Sequence, residues 1–152
     1  MLVLEKDEKI EPLGNSMKIV VSKSHTFGTD AILLADFSHI KRKDTACDMG
    51  TGCGIIPLIW LKGETKSVTA IDIQEKAIAQ LNKSIELNGL EGRIIPVNCD
   101  LRSLKGVLEY GSFDLVTMNP PYKPIGTGIE SIAEAERIAR HEVTCNIDDA
   151  VS

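Results

Sequence analysis

A chain of 152 residues with 43 % hydrophobic side chains is one domain's worth and can bury a core, which excludes a disordered polymer. Its 17 basic and 22 acidic side chains leave a net charge of −5, so nothing attracts nucleic acid globally and any such binding must use a local patch. Cys47, Cys53, Cys99 and Cys145 form no C-x-x-C pair, which argues against zinc and a disulfide framework and predicts free thiols in a reducing, cytoplasmic setting. The first residues are polar, with no apolar targeting core, and no run approaches the length of a membrane span.

In chain order, MKIVV at 17–21 predicts a short strand. GTDAILLADF at 28–37 predicts a helix, with Thr29 as N-cap, Asp30 in the first turn and apolar residues at helical spacing. HIKRKD at 39–44 is a charged connection. Alternation then begins: TACDM at 45–49 is a strand, CGIIPLIWLKG at 53–63 a buried helix ending at Gly63, and SVTAID at 67–72 a strand. QEKAIAQLNKSIELNG at 74–89 is an amphipathic helix with Ile78, Leu81 and Ile85 on one face and Gly89 as its stop. RIIPV at 93–97 and FDLVTM at 113–118 are two further strands. The pattern predicts an α/β fold: a doubly wound, Rossmann-like parallel sheet of spatial order 3-2-1-4, with the glycine loop at the switch. Residues 1–44 read as a strand and helix packing on a core of residues 45–152, within one domain overall.

A doubly wound sheet takes ligands beyond the carboxyl ends of its strands. Here those ends carry Asp48-Met49-Gly50-Thr51-Gly52-Cys53-Gly54, then Asp72-Ile73, then Asn98-Cys99-Asp100-Leu101, then Asn119-Pro120-Pro121-Tyr122. Gly50, Gly52 and Gly54 allow a tight turn into a helix and close approach of a ligand, or serve only as that turn. The third glycine comes one residue too early for a dinucleotide fingerprint, and Asp48 would repel a pyrophosphate but welcome an ammonium. Asp72 stands where an acid accepts hydrogen bonds from a ribose diol, and also where it caps the helix starting near Gln74. Ile73 can cover an adenine face. Asp100 can accept from the adenine amine while the Leu101 N–H meets a ring nitrogen, or Asp100 caps a turn through LRSLK. The ligand implied has an amino-acid end, a ribose, an adenine and no phosphate, which S-adenosylmethionine fits.

Together, DMGTGCG, Asp72, NCD and NPPY resemble the class I methyltransferases that modify exocyclic or amide nitrogens. FGTDAILLADF at 27–37 and IARHE at 138–142 resemble more narrowly the tRNA adenine N6-methyltransferases that act beside a valine tRNA anticodon, within the methyltransferase small domain group. The resemblance covers nearly the whole chain. It implies that Asp48 faces the methionine amino group, that Gly50, Gly52 and Gly54 line the methionine end, and that Asp72 holds the ribose. It further implies that Asp100 and Leu101 read the adenine and that Phe27 contacts the cofactor. Asn119 and Pro120 would bind the target nitrogen, with Pro121 stiffening the corner and Tyr122 stacking on the target base. The chemistry of that corner follows from delocalisation. An aryl or amide NH2 is a poor nucleophile; accepting its hydrogens on the Asn119 oxygen and the Pro120 carbonyl draws the nitrogen toward tetrahedral geometry and aims its lone pair at the methyl. No strong base is needed, because the nitrogen becomes acidic only after methylation.

Other residues carry less. His25, His39 and His141 have no ligand spacing and read as surface or capping histidines, Trp60 as core, and Lys41-Arg42-Lys43 as a solvated turn. Arg137, Arg140 and His141 form the better candidate for an RNA-facing patch. Methyltransferases of this class carry seven strands, so the resemblance also implies a chain truncated at its C-terminus. The open edge of FDLVTM then offers a route to self-association. Guanine N2 or protein-glutamine N5 methylation, or a fragment that binds S-adenosylmethionine without turnover, are the competing readings; tRNA is the expected partner, with no metal and no membrane.

Overall fold

A computed structural model describes residues 1–63 and 65–120 of the chain. Pro121, Tyr122, Arg137, Arg140, His141 and the expected C-terminal elements lie outside the described residues.

The chain opens with a hairpin of β1 (Glu8–Gly14) and β2 (Met17–Ser22), paired antiparallel. β1 is an addition to the sequence reading, and its residues explain why it went unseen. EKIEPLG carries three charged side chains, Glu8, Lys9 and Glu11, and contains Pro12, which sits at the register shift of the pairing, an edge position where its missing N–H is tolerated. α1 (Thr29–Phe37) follows, with Gly28 rather than Thr29 at the N-cap and no side-chain cap. Thr29 is already helical, so its hydroxyl does not do the capping expected of it.

β3 (Thr45–Met49), α2 (Ile55–Trp60), β4 (Ser67–Asp72), α3 (Glu75–Asn88), β5 (Ile94–Asn98) and β6 (Leu115–Met118) then build a parallel sheet in the order β5-β4-β3-β6. That is the expected 3-2-1-4 order. A 3₁₀ turn, Leu101–Ser103, follows β5. α2 is shorter than its apolar run suggests; Pro57 fits in its first turn, where an N–H would have no helical partner. Gly89 stops α3 in the left-handed conformation, as its sequence position predicts.

The core lies between sheet and helices. Ile19, Ala46, Leu58, Val68, Ala70 and Leu81 are fully buried in it, and each large aliphatic contributes about 1.5–3 kcal/mol on burial. Trp60 is core, as expected; its indole N–H donates to the Ala35 carbonyl and the Ser38 hydroxyl, anchoring α1 against α2. At the amino end of the sheet, Thr45 and Asp114 exchange bonds of 2.8 Å, N–H to carboxylate and N–H to carbonyl, which fixes β6 beside β3.

α3 holds the hairpin through a stripe of polar side chains four residues apart. Ser84 accepts from the Val20 N–H, Gln80 donates to the Val20 and His25 carbonyls, and Asn88 both accepts from and donates to the Lys18 backbone. Side chains thus satisfy backbone groups of β2 that β1 does not. Among the described residues the outer edge of β6 carries no paired strand, and no helix there is long and apolar enough to cross a membrane.

Candidate active site

The parallel register aligns the carboxyl ends of the strands. Met49 pairs with Ile71 and with Met118, and Asp72 pairs with Asn98. Asn98, Asp72, the glycine loop and Asn119 therefore stand in a row along one edge of the sheet, about 4.8 Å apart per strand.

Within the loop the glycines divide their tasks. All three have positive φ: 68° at Gly50, 55° at Gly52 and 83° at Gly54. A Cβ on Gly54 would stand 2.4 Å from Leu81 Cδ1, so this glycine lets α2 start hard against α3. Gly50 and Gly52 meet nothing within 4 Å on that side and leave the outer face of the loop bare. Backbone bonds tether the loop to β4, with the Thr51 N–H donating to the Ile71 carbonyl at 2.9 Å.

Asp72 joins the two segments beyond β3 and β4. One carboxylate oxygen accepts from the Gly52 N–H at 2.8 Å and the other from the Gln74 N–H at 2.9 Å. Burial raises its pKa, opposed by these bonds and by His25 nearby. Each carboxylate oxygen has two lone pairs, so accepting from the backbone leaves capacity for a diol. Gln74 in turn bonds the His25 ring at 2.8 Å. His25 is buried, 4 % exposed, so of the two expected roles, surface or capping, the surface one does not hold; its ring locks the segment before α1 to Gln74 at the start of α3.

Asp48 lies beneath the loop with only 1 % exposure. Burial pushes its carboxyl up to about 7, assisted by Asp72 and opposed by the Thr117 hydroxyl, which donates to it at 2.8 Å. The buried Thr51 hydroxyl faces the same carboxyl, opposing the rise too, but stops short of hydrogen-bonding geometry. Among the described residues no cation pairs with Asp48. Cys47 and Cys53 are pushed up to about 12 by burial, which removes thiolate chemistry from these two side chains.

On the other flank, Asn98 donates to the Asp72 and Ile73 carbonyls and so shapes the loop that presents Ile73. Asn98 marked a strand end in the sequence but had no role there. Asp100 does what one of its two readings proposed: it caps the 3₁₀ turn through the Arg102 N–H. It also pairs with the Arg102 guanidinium, which holds its carboxyl below the usual range. An adenine amine approaching Asp100 would have to share it with that guanidinium. Ile73, Leu101 and Phe27 are partly buried, Phe27 against the core.

Asn119 and Pro120 follow β6 and are partly buried. The Asn119 amide donates to an Asp30 carboxylate oxygen at 3.0 Å, bringing the first turn of α1 to the end of β6. The sequence showed Asp30 only as a first-turn acid; nothing local couples residues 89 positions apart.

The family model for the methyltransferase small domain matches residues 17–141. The chain belongs to that family. Among curated relatives, the tRNA1(Val) (adenine(37)-N6)-methyltransferase of Parabacteroides distasonis is 30 % identical over 122 residues, covering 80 % of this chain and 50 % of the relative. Its counterpart from Histophilus somni strain 2336 is 28 % identical over 119 residues, covering 77 % and 49 %. The chain thus spans about half the length of the curated relatives it matches. Among solved structures, an M. jannaschii tRNA m1G37 methyltransferase superposes with a TM-score of 0.57 and 28 % identity, over 78 % of this chain and 36 % of that one. In this member of the small-domain family, the parallel sheet and the loop after β3 are the frame on which the residues above are arranged.

Proposed function

We propose that the chain binds S-adenosylmethionine along the carboxyl ends of β3, β4 and β5 and passes its methyl group to the exocyclic N6 of an adenine in tRNA, in the cytoplasm. The observation that carries the reading is the row itself: a bare glycine loop, an acid tied to that loop, and an amide one strand away. The residues present fit the cofactor. Gly50 and Gly52 leave the loop open to close approach, and the Asp48 carboxyl beneath it has no cation of its own among the described residues. Asp72 retains lone pairs for a ribose diol. The names of the curated relatives support tRNA and adenine N6 as the substrate.

S-adenosylmethionine supplies an electrophilic methyl on a sulfonium, whose electron pair returns to sulfur as the new nitrogen–carbon bond forms. Asn119 Oδ1 and the Pro120 carbonyl accept the two hydrogens of the target NH2 and hold its lone pair in line. Fixing that geometry is the main contribution of these residues to the rate. Asp48 favours an ammonium above it through the thin loop. The methylated nitrogen then releases a proton to water. Tyr122 supplies a stacking surface for the base, a contact typically worth about 1–3 kcal/mol.

Calorimetric titration with S-adenosylmethionine tests the cofactor assignment. Asp72→Ala is expected to weaken binding by about 1.5–3 kcal/mol through the lost ribose bonds. Unchanged affinity would remove Asp72 from the site. For the substrate, mass analysis of nucleosides from methylated tRNA decides between N6-methyladenosine and N2-methylguanosine.

A further inference from the structure

We propose that Asp30 is a positioning residue that fixes which end of the Asn119 amide meets the substrate; this rests on the methyl-transfer reading above. The two ends of an Asn side chain have nearly the same shape, and a half-turn exchanges them. The target NH2 needs an acceptor. If the amide turned over, its own NH2 would face the target and oppose donor with donor. Asp30 removes that ambiguity. Its carboxylate accepts from Asn119 Nδ2 at 3.0 Å, and an ionised carboxylate can only accept, so the NH2 end must face α1. The oxygen is then held on the other side of the amide carbon. A carboxylate at the nitrogen end also polarises the amide and draws negative charge onto Oδ1, which strengthens it as an acceptor.

Gly28 supplies a second, independent observation. Its φ of −114° and ψ of 177° are ordinary extended values, so the backbone does not require glycine there. The carboxylate does use that space: a Cβ on Gly28 would stand 2.6 Å from Asp30 Oδ1, so a side chain there would push the carboxylate aside. The missing side chain leaves the room into which the Asp30 carboxylate folds. A first-turn acid that only complements the helix dipole needs no such room and no fixed orientation.

The test has one arm that needs no substrate. In the 15N-labelled chain, the side-chain NH2 protons of Asn119 are expected to exchange with solvent about tenfold faster in Asp30→Ala and in Gly28→Ala than in the unaltered chain, as a lost charge-assisted bond requires. Unchanged exchange in both variants would overturn the proposal, whether or not the chain methylates tRNA. The second arm is kinetic. Asp30→Ala is expected to lower kcat by about 10–100-fold with KM for S-adenosylmethionine within a few-fold, the signature of lost alignment rather than lost binding. Asn119→Asp alone sets two carboxylates against each other, and adding Asp30→Asn reverses the polarity of the pair and should restore at least about tenfold of the lost kcat. No recovery in the double variant would overturn the proposal. Failure of the unaltered chain to methylate any tRNA would instead refute the methyl-transfer reading, leaving the exchange arm to decide the contact.

Discussion

Asp48 and Asp72 lie next to each other at the ends of adjoining strands, yet they meet different partners. Asp72 binds two backbone N–H groups, while Asp48 meets a hydroxyl and a buried wall. The pKa of Asp48, raised by burial from 3.8 to about 7, makes it a titrating group in the neutral range. Because the folded value exceeds the unfolded one, the protonated folded form is favoured. The unligated chain therefore loses stability from this group as pH rises from the ordinary carboxylate range to about 7. A ligand ammonium above the loop favours the ionised form. S-adenosylmethionine binding should accordingly weaken as pH falls through about 7 and release a proton below it. Calorimetry at pH 6 in buffers of different ionisation enthalpy measures that proton directly. Affinity independent of pH, with no proton released, would separate Asp48 from the ligand's amino group.

At the scale of elements, α3 serves two partners with two faces. Ile78, Leu81 and Ile85 enter the core, the face that apolar periodicity reveals. Gln80, Ser84 and Asn88 form the stripe that binds β2. Gln80→Ala would leave the buried Val20 and His25 carbonyls without the donor they share, and should cost about 1–3 kcal/mol. Urea denaturation reads the loss as a lower midpoint with unchanged slope. Because His25 binds Gln74, which binds Asp72, the same variant should also loosen the loop end of the site. A midpoint equal to that of the unaltered chain would show that Gln80 does not hold the hairpin.

For the whole molecule, the sheet was legible because its strands are compact apolar runs separated by helices and glycines, and chain connectivity then dictates the order β5-β4-β3-β6. β1 was not legible, because a charged segment with a proline becomes a strand only through its pairing with β2. At the site, the positions of Asp72, Asp100 and Asn119 followed from where strands end. Their partners did not. The bonds from Asp72 to Gly52 and from Asn119 to Asp30 join residues 20 and 89 apart, and no local pattern encodes them. Asp48 also read as an open carboxyl; its burial follows from Thr51 and Thr117 closing over it. The central claim is that Asn119 aligns the target nitrogen of a tRNA adenine for methyl transfer while other residues hold the cofactor. It is tested most directly by transfer of labelled methyl from S-adenosylmethionine to unmodified tRNA, comparing the unaltered protein with Asn119→Ala. The account predicts labelled N6-methyladenosine from the unaltered protein, and in the variant a loss of most turnover with cofactor affinity within a few-fold, because the amide meets the substrate and not the cofactor. Turnover by Asn119→Ala at the unaltered rate would contradict it.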